Sequence, residues 1–294
     1  MIAPILPLMT LLPVPRSESR TVNQKKNADG FPKAGELIEI RPESELSLHD
    51  RRVLNMLIEN AGAQIAENRR YRISIRALRG ARHNGSERVG DSIRRLMTTI
   101  VQIPTTDENG RPAVQETTLL AESTRTADED DPRGLVVYAF SEALREIILQ
   151  SRYWGRIKAY IMFAFSSKYA LTLYEAVCLR ANRQHTIQQF SVEEFRALLD
   201  VPDGKLEEPF NLMKWAVVPA VTEVNALSDF AVEVDPMREG GHRRGRLLGF
   251  RLQWSRKSPD GWVKALDELG RPRLGRKARI SGRQNSVLID PGLL

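Results

Sequence analysis

Only one cysteine, Cys178, occurs in the 294 residues. No disulfide can therefore form within the chain, and a free thiol on an apolar helical face suits a reducing compartment, expected to be the cytoplasm. Histidine is scarce too: His49, His83, His185 and His242 are scattered, with no metal-ligand spacing among them. No apolar run reaches the ~18 residues of a membrane span. Met1 to Val14 is apolar, but Pro4, Pro7 and Pro13 break any helix there and no positive charge precedes it, which argues against a secretion signal. Three readings of that segment stay open: a disordered arm, a docking peptide for another protein, or an over-extended start.

Catalytic patterns are missing as well. Gly204-Lys205 is followed by Leu206 and lacks the earlier glycine of a phosphate-cradling loop. Gly240, Gly241, Gly245 and Gly249 lie inside an expected hairpin, where no dinucleotide site forms. A metal-dependent nicking site would need two histidines one residue apart beside a tyrosine, and this pair is absent, so Tyr153 and Tyr174 read as packing residues. The acidic pairs Glu193-Glu194 and Glu207-Glu208 sit at helix starts, where they complement the helix dipole. No enzyme, no cofactor and no metal are expected.

What is present is positive charge. The balance is +7, and the excess is clustered, which favours a polyanionic partner over a merely solvated basic surface. The length has room for two domains with cores of their own.

The stretch from Ser166 to Trp254 reads as helix, helix, long helix and two-stranded ribbon. Ala170, Leu173, Tyr174, Val177, Cys178 and Ala181 repeat at three and four and share one helical face. Ser191 and Glu194 form a capping box for a second helix that buries Val192, Phe195 and Leu199. The third opens at Pro209 and should bury Phe210, Met213, Val217, Ala220, Val221 and Val224, leaving Asn211, Lys214, Trp215, Val218 and Thr222 outside. Pro219 costs a straight helix roughly 3 kcal/mol, which predicts a kink or break near Trp215 to Val218. Period two then takes over at Phe230, Val232 and Val234, and again at Leu248, Phe250, Leu252 and Trp254, the mark of a hairpin with one core face. Its tip carries Arg238, Arg243, Arg244 and Arg246 on a glycine-rich loop, placed to lie along a phosphate backbone. This order of elements is that of a winged-helix DNA-binding domain.

Ser167-Lys168-Tyr169-Ala170-Leu171 leading into Leu173-Tyr174-Glu175, then Pro219-Ala220 with Glu223 and Asn225, then Gly249-Phe250-Arg251-Leu252, resemble the carboxy-terminal half of the plasmid replication initiators that bind repeated origin sequences. The resemblance covers about ninety residues and rests on the ordered series, since no single tetrapeptide is specific. It implies an α+β, mostly helical chain of two tandem winged-helix domains with β-hairpin wings. It further implies binding of double-stranded direct repeats, duplex opening, and recruitment of a host helicase, helicase loader or sliding clamp. Autorepression by a homodimer, assigned to the first domain, is part of the family's behaviour. Asn211, Lys214 and Trp215, with Lys205 just before them, fall where family members meet base edges; several have arginine there, and Trp215 departs from that pattern.

The first half should then hold the other domain. Residues 15 to 35 read as disordered. Leu46, Leu48, Val53, Leu54, Leu57 and Ile58 give a helix with Ser47 as cap and Ala61-Gly62 as stop. A strand at Tyr71 to Ile75 and a short helix to Leu78 follow. Ser86 is expected to cap a helix with Val89, Ile93, Leu96 and Ile100 inside and Arg88, Asp91, Ser92 and Arg95 outside, the last set including the candidate groove contacts Arg88, Ser92 and Arg95. The alternative is an ordinary surface helix. Val101 to Ile103 should pair with Thr117 to Leu120 or with Leu135 to Phe140, and the acidic run Asp128 to Asp131 makes a poor DNA wing. A helix over Glu142 to Gln150 and a strand over Ile157 to Phe165 complete the expectation.

The domains are thus a disordered arm over 1–35, a first winged helix over 36–152, a second over 156–255, and a basic, unpacked tail over 256–294 with nine Lys or Arg against four Asp or Glu and a brief helical patch around Trp262 to Leu269. A tandem winged-helix repressor without a replication role is the competing reading.

Overall fold

The computed structural model describes residues 30–80, 88–241 and 245–282. The chain starts with strand β1 (Phe31–Ala34), helix α1 (Gly35–Ile38) and the short strand β2 (Arg41–Pro42). Helix α2 (Leu48–Ala61) begins where sequence places it: the Ser47 hydroxyl accepts from the Asp50 amide, the Asp50 carboxylate accepts from the Ser47 amide, and Gly62 at φ 55° ends it. Strand β3 (Tyr71–Ser74) passes directly into α3 (Ile75–Arg79), capped by Ser74. Then come α4 (Val89–Thr98), β4 (Ile100–Thr106), β5 (Pro112–Thr118), β6 (Leu120–Arg125), β7 (Leu135–Phe140) and α5 (Glu142–Gln150), whose cap is Ser141.

Two small antiparallel sheets, in the orders β2-β4-β5 and β3-β7-β6, flank the helices of this first domain. Val101 pairs with Thr117 and Ile103 with Gln115, the first of the two pairings left open by sequence. Leu120 goes instead to β6. The β4–β5 turn is held by the Asp107 carboxylate, which accepts from the Asn109 and Arg111 amides, and Gly110 takes the φ of 75° that the turn requires.

The chain continues through β8 (Trp154–Ile157), α6 (Ala159–Ala164), α7 (Lys168–Arg180), β9 (Ile187–Ser191), α8 (Val192–Leu198), α9 (Pro209–Leu212), α10 (Val218–Leu227), β10 (Phe230–Arg238) and β11 (Leu247–Arg256), and the elements from β9 to β11 lie in the second domain. Between α9 and α10, residues Met213–Val217 form a π-helical turn. The sheet order is β10-β11-β9. Phe195 stacks on Phe250 at 4.5 Å between ring centroids, clamping α8 to the sheet.

Helix α7 is buried on nearly every side rather than on one face, because α10 covers one flank and α1, α2 and β8 the other. One apolar core consequently runs through both domains. Polar ties accompany it. The Arg52 guanidinium donates to the carbonyls of Phe163 and Phe165, and Arg51 pairs with Asp200 at 2.7 Å.

Several sequence expectations are corrected. Residues 31–35, expected to be disordered, are ordered, and β1 pairs antiparallel with β8 through Phe31↔Ile157 and Ala34↔Trp154. Ala159 to Ala164 is helix and not strand: Ile161 and Met162 are consecutive and both buried, which alternation forbids. Ile100 belongs to β4 and is exposed. Leu248 points outward and Leu247 inward, since a bulge opposite Arg238 adds one residue to β11 and reverses the alternation beyond it.

The tail also packs, as far as residue 282. Helices α11 (Pro259–Gly270) and α12 (Arg276–Ile280) lie against α10. Arg276 is buried and donates to the carbonyls of Glu268, Leu269, Arg271 and Ala164, and Arg279 forks onto the Glu268 carboxylate at 2.8 Å. Arginine here satisfies helix-end carbonyls. The remainder of the tail, with Arg283, and the amino-terminal segment lie outside the described residues, as do His83, Ser86 and His242.

Candidate nucleic-acid interface

In a winged helix the third helix of the helix-turn-helix enters the major groove while the hairpin lies beside it. In the second domain that helix is α9, the π turn and α10 together. Pro209 occupies the first turn, where its missing N–H costs nothing. Pro219 has no N–H to donate, and its ring would strike the carbonyl four residues back, that of Trp215. The helix answers by widening to a π turn over Met213–Val217, the irregularity that Pro219 predicts.

The extra residue in that turn resets the faces. Leu212, Ala216, Val217, Ala220 and Val224 are buried, whereas Phe210, expected in the core, is 72% exposed. Counting by three and four from Val217 back to Phe210 fails across a turn that is one residue longer. On the outer side Lys214 is exposed, Trp215 is 57% exposed and Asn211 half-buried. The Lys214 ammonium lies 4.7 Å from the Trp215 ring centroid and 5.7 Å from that of Phe210.

Lys205 stands apart from this group. It sits in the loop before α9, where Leu206 and Asp200 have positive φ (52° and 55°). Its ammonium is 2.6 Å from the Glu45 carboxylate of the first domain, which also takes Lys168 at 2.9 Å. The hydrogen bonds from Lys205 and Lys168 hold the Glu45 carboxyl below its ordinary pKa, and the same contact raises that of Lys205.

The wing is β10–β11. Gly240 and Gly241 at φ 63° and 71° make its turn, conformations that a side chain would disfavour. Arg238 is half-buried and donates to the Gly245 carbonyl at 2.9 Å, so it braces the turn, while Arg246 is exposed. Arg243 and Arg244 lie outside the described residues. Nearer the base, Arg251 is occupied by Asp235 at 2.6 Å.

In the first domain the corresponding helix is α4. Its N-cap is Arg88, which caps through no side-chain bond. The Glu129 carboxylate instead accepts from the Val89 amide at 3.0 Å and the Gly90 amide at 2.9 Å. One member of the acidic run thereby satisfies two helix-end donors and meets the positive end of the dipole. Arg79 at 3.5 Å and Arg125 at 3.4 Å flank the same carboxylate. Sequence gave no sign of this, because the contact joins residues 40 positions apart.

Two of the three candidate groove contacts on α4 are placed otherwise than expected. Ser92 is fully buried. It lies three residues after Val89 and four before Leu96, on the inner stripe itself, as a helical wheel would have shown. Arg95 forks onto Asp50, Nε and Nη2 each 2.8 Å from a carboxylate oxygen, and so ties α4 to the start of α2. Arg88 is exposed, as is Arg94, which lies outside the expected contact set and pairs with Asp91 at 3.0 Å.

No group of three or more His, Cys, Asp or Glu among the described residues could hold a metal ion, and no described helix is long and apolar enough to cross a membrane. The surfaces so assembled are cationic and aromatic, able to bind phosphates and base edges. A family model described as Initiator Replication protein, WH1 matches residues 32–178, and one described as Initiator Rep protein, WH2 matches residues 191–253. No curated protein matches the chain.

Proposed function

Since the chain belongs to the family of initiator replication proteins, and is as such a DNA-binding plasmid replication initiator and not an enzyme, we propose that it binds direct repeats of double-stranded DNA at its origin. It then promotes opening of the adjacent duplex and recruits a host helicase, helicase loader or sliding clamp. As a homodimer joined through the first domain it represses its own gene.

The observation that carries this reading is the outer face of the second domain's third helix, with Lys214 and Trp215 exposed beside Asn211 and a basic wing next to it. Asn211, Lys214 and Trp215 meet base edges. Arg246, with Arg243 and Arg244 of the wing sequence, holds phosphates, and Arg238 donates to the Gly245 carbonyl beside them in the chain. Lys205 meets the backbone only in competition with Glu45. In the first domain Arg88 and Arg94 take the phosphate role, Arg95 being engaged by Asp50. Two such helices in successive major grooves on one face of DNA stand ~34 Å apart, for a footprint of about two turns per repeat.

The test is a footprint of the full chain on DNA flanking its own gene, run between about 50 and 200 mM salt. Protection of several same-direction repeats that survives the higher salt is the expected result. A single inverted repeat as sole target overturns the direct-repeat reading and favours binding that serves repression, and binding that vanishes with salt and selects no repeat overturns sequence-specific recognition.

A further inference from the structure

The outer face of the reading helix is unusually apolar for a surface that meets DNA. Phe210, Trp215 and Val218 are 72%, 57% and 52% exposed, while the same helix buries Leu212, Ala216 and Val217 on its other side. From residue 209 to residue 222 Lys214 is the one charged side chain, and no arginine occurs. Its ammonium lies against both rings. This face therefore lacks the guanidinium forks that read guanine bidentately, and offers instead, beside the half-buried Asn211 amide, two rings, an isopropyl group and a single cation.

Only one feature of the major-groove floor is apolar in unmodified DNA: the 5-methyl group of thymine, which side-chain carbon contacts distinguish from every other base edge. Trp215, in the π turn, and Val218, at the start of α10, are three residues apart, at most about 4.5 Å along the axis, which spans one to two base-pair rises of ~3.4 Å. Duplex DNA is the occupant that suits this face, because the winged-helix arrangement aims it at the groove and its single charge is opposite in sign to the phosphates on either side.

We propose that the reading helix recognises thymine 5-methyl groups, with Trp215 and Val218 packed on the methyls of thymines at neighbouring positions. Phe210 and Trp215 steady Lys214 while it donates to an adjacent O4, O6 or N7 acceptor. This rests on the DNA-binding reading above and adds the chemistry by which the second domain chooses its sequence.

The experiment begins with duplexes selected from a random pool by the full chain. Each thymine of the selected site is then replaced singly by deoxyuridine, which removes a methyl and nothing else. Loss of one buried methyl corresponds to about a three- to five-fold weaker Kd. That loss is expected at one or two thymines for the wild-type chain, and it should disappear for Trp215→Ala at one of them and for Val218→Ala at the other. A site that binds sequence-specifically with no response to deoxyuridine overturns the inference and leaves the proposed function standing. A response unchanged in both variants also overturns it, as does a Trp215→Ala chain that keeps its deoxyuridine response and loses only affinity for a single-stranded oligothymidine, which marks base stacking instead. Selection of no sequence at all overturns both proposals together.

Discussion

The ammonium of Lys33 lies 2.9 Å from the carboxylate of Glu175, both side chains wholly buried and 142 positions apart in sequence. Asn55 of α2 donates to the other oxygen of the same carboxylate at 2.5 Å. Burial pushes the Lys33 pKa down, against the pull of Glu175. Three elements, β1, α2 and α7, thus meet at one buried carboxylate, and removing a single partner strands a charge. Glu175→Gln or Lys33→Met alone should each cost about 3–5 kcal/mol, whereas Lys33→Met with Glu175→Leu should restore most of it. Urea unfolding measures this; single variants within about 1 kcal/mol of wild type would mean that water reaches the pair.

Asp50 gives a pH dependence of known sign. Burial by itself raises its pKa, but hydrogen bonds from Arg95, Ser92 and the Ser47 amide outweigh that and leave the carboxyl below its ordinary value. A group whose folded pKa is depressed contributes stability that is present above the unfolded value, about 3.9, and lost as pH falls through the folded one. Stability should accordingly decline below about pH 4. The decline should be shallower in Asp50→Asn, compared by urea midpoints across that range.

Glu129→Ala should destabilise the first domain by about 1–2 kcal/mol, since it removes an acceptor shared by two helix-end amides and the partner of two arginines. Amide exchange at Val89 and Gly90 would rise. Unchanged exchange there would assign the cap to another acceptor.

Glu45→Gln releases Lys205 and Lys168 from a carboxylate that both now contact. Affinity for any duplex should increase, and the dependence of log K on log salt should steepen by about 0.9 if Lys205 gains one phosphate. An unaltered slope would show that Lys205 stays away from DNA.

Roles within the second domain separate by mutation. Lys214→Ala should relax sequence preference, at ~1–3 kcal/mol for a base-reading contact. Arg243→Ala with Arg244→Ala should weaken binding to all sequences and flatten the salt slope by roughly 0.9 per lost phosphate. Loss of discrimination with an intact slope in the wing variant would reverse the assignment.

The sequence by itself determined many of the local elements, though not β1 or the helix at Ala159–Ala164. Capping boxes at Ser47 and Ser191, the stop at Gly62, the irregular turn enforced by Pro219 and the alternation of β10 and β11 each depend on residues within a few positions of one another. The ordered series from Ser167 to Leu252 was enough to indicate the family. Tertiary structure alone decided which side chains are available to DNA. Ser92 is buried, Arg95 is spent on Asp50, Lys205 on Glu45, and Phe210 is turned outward. It also decided that Lys33 is core and that Arg276 knits the tail to α6 and α11. The division has one cause. A cap or a period is set by the backbone's own geometry over one or two turns, while burial and ion pairing depend on partners that sequence separates by tens to more than a hundred residues and only the packed chain brings within 3 Å.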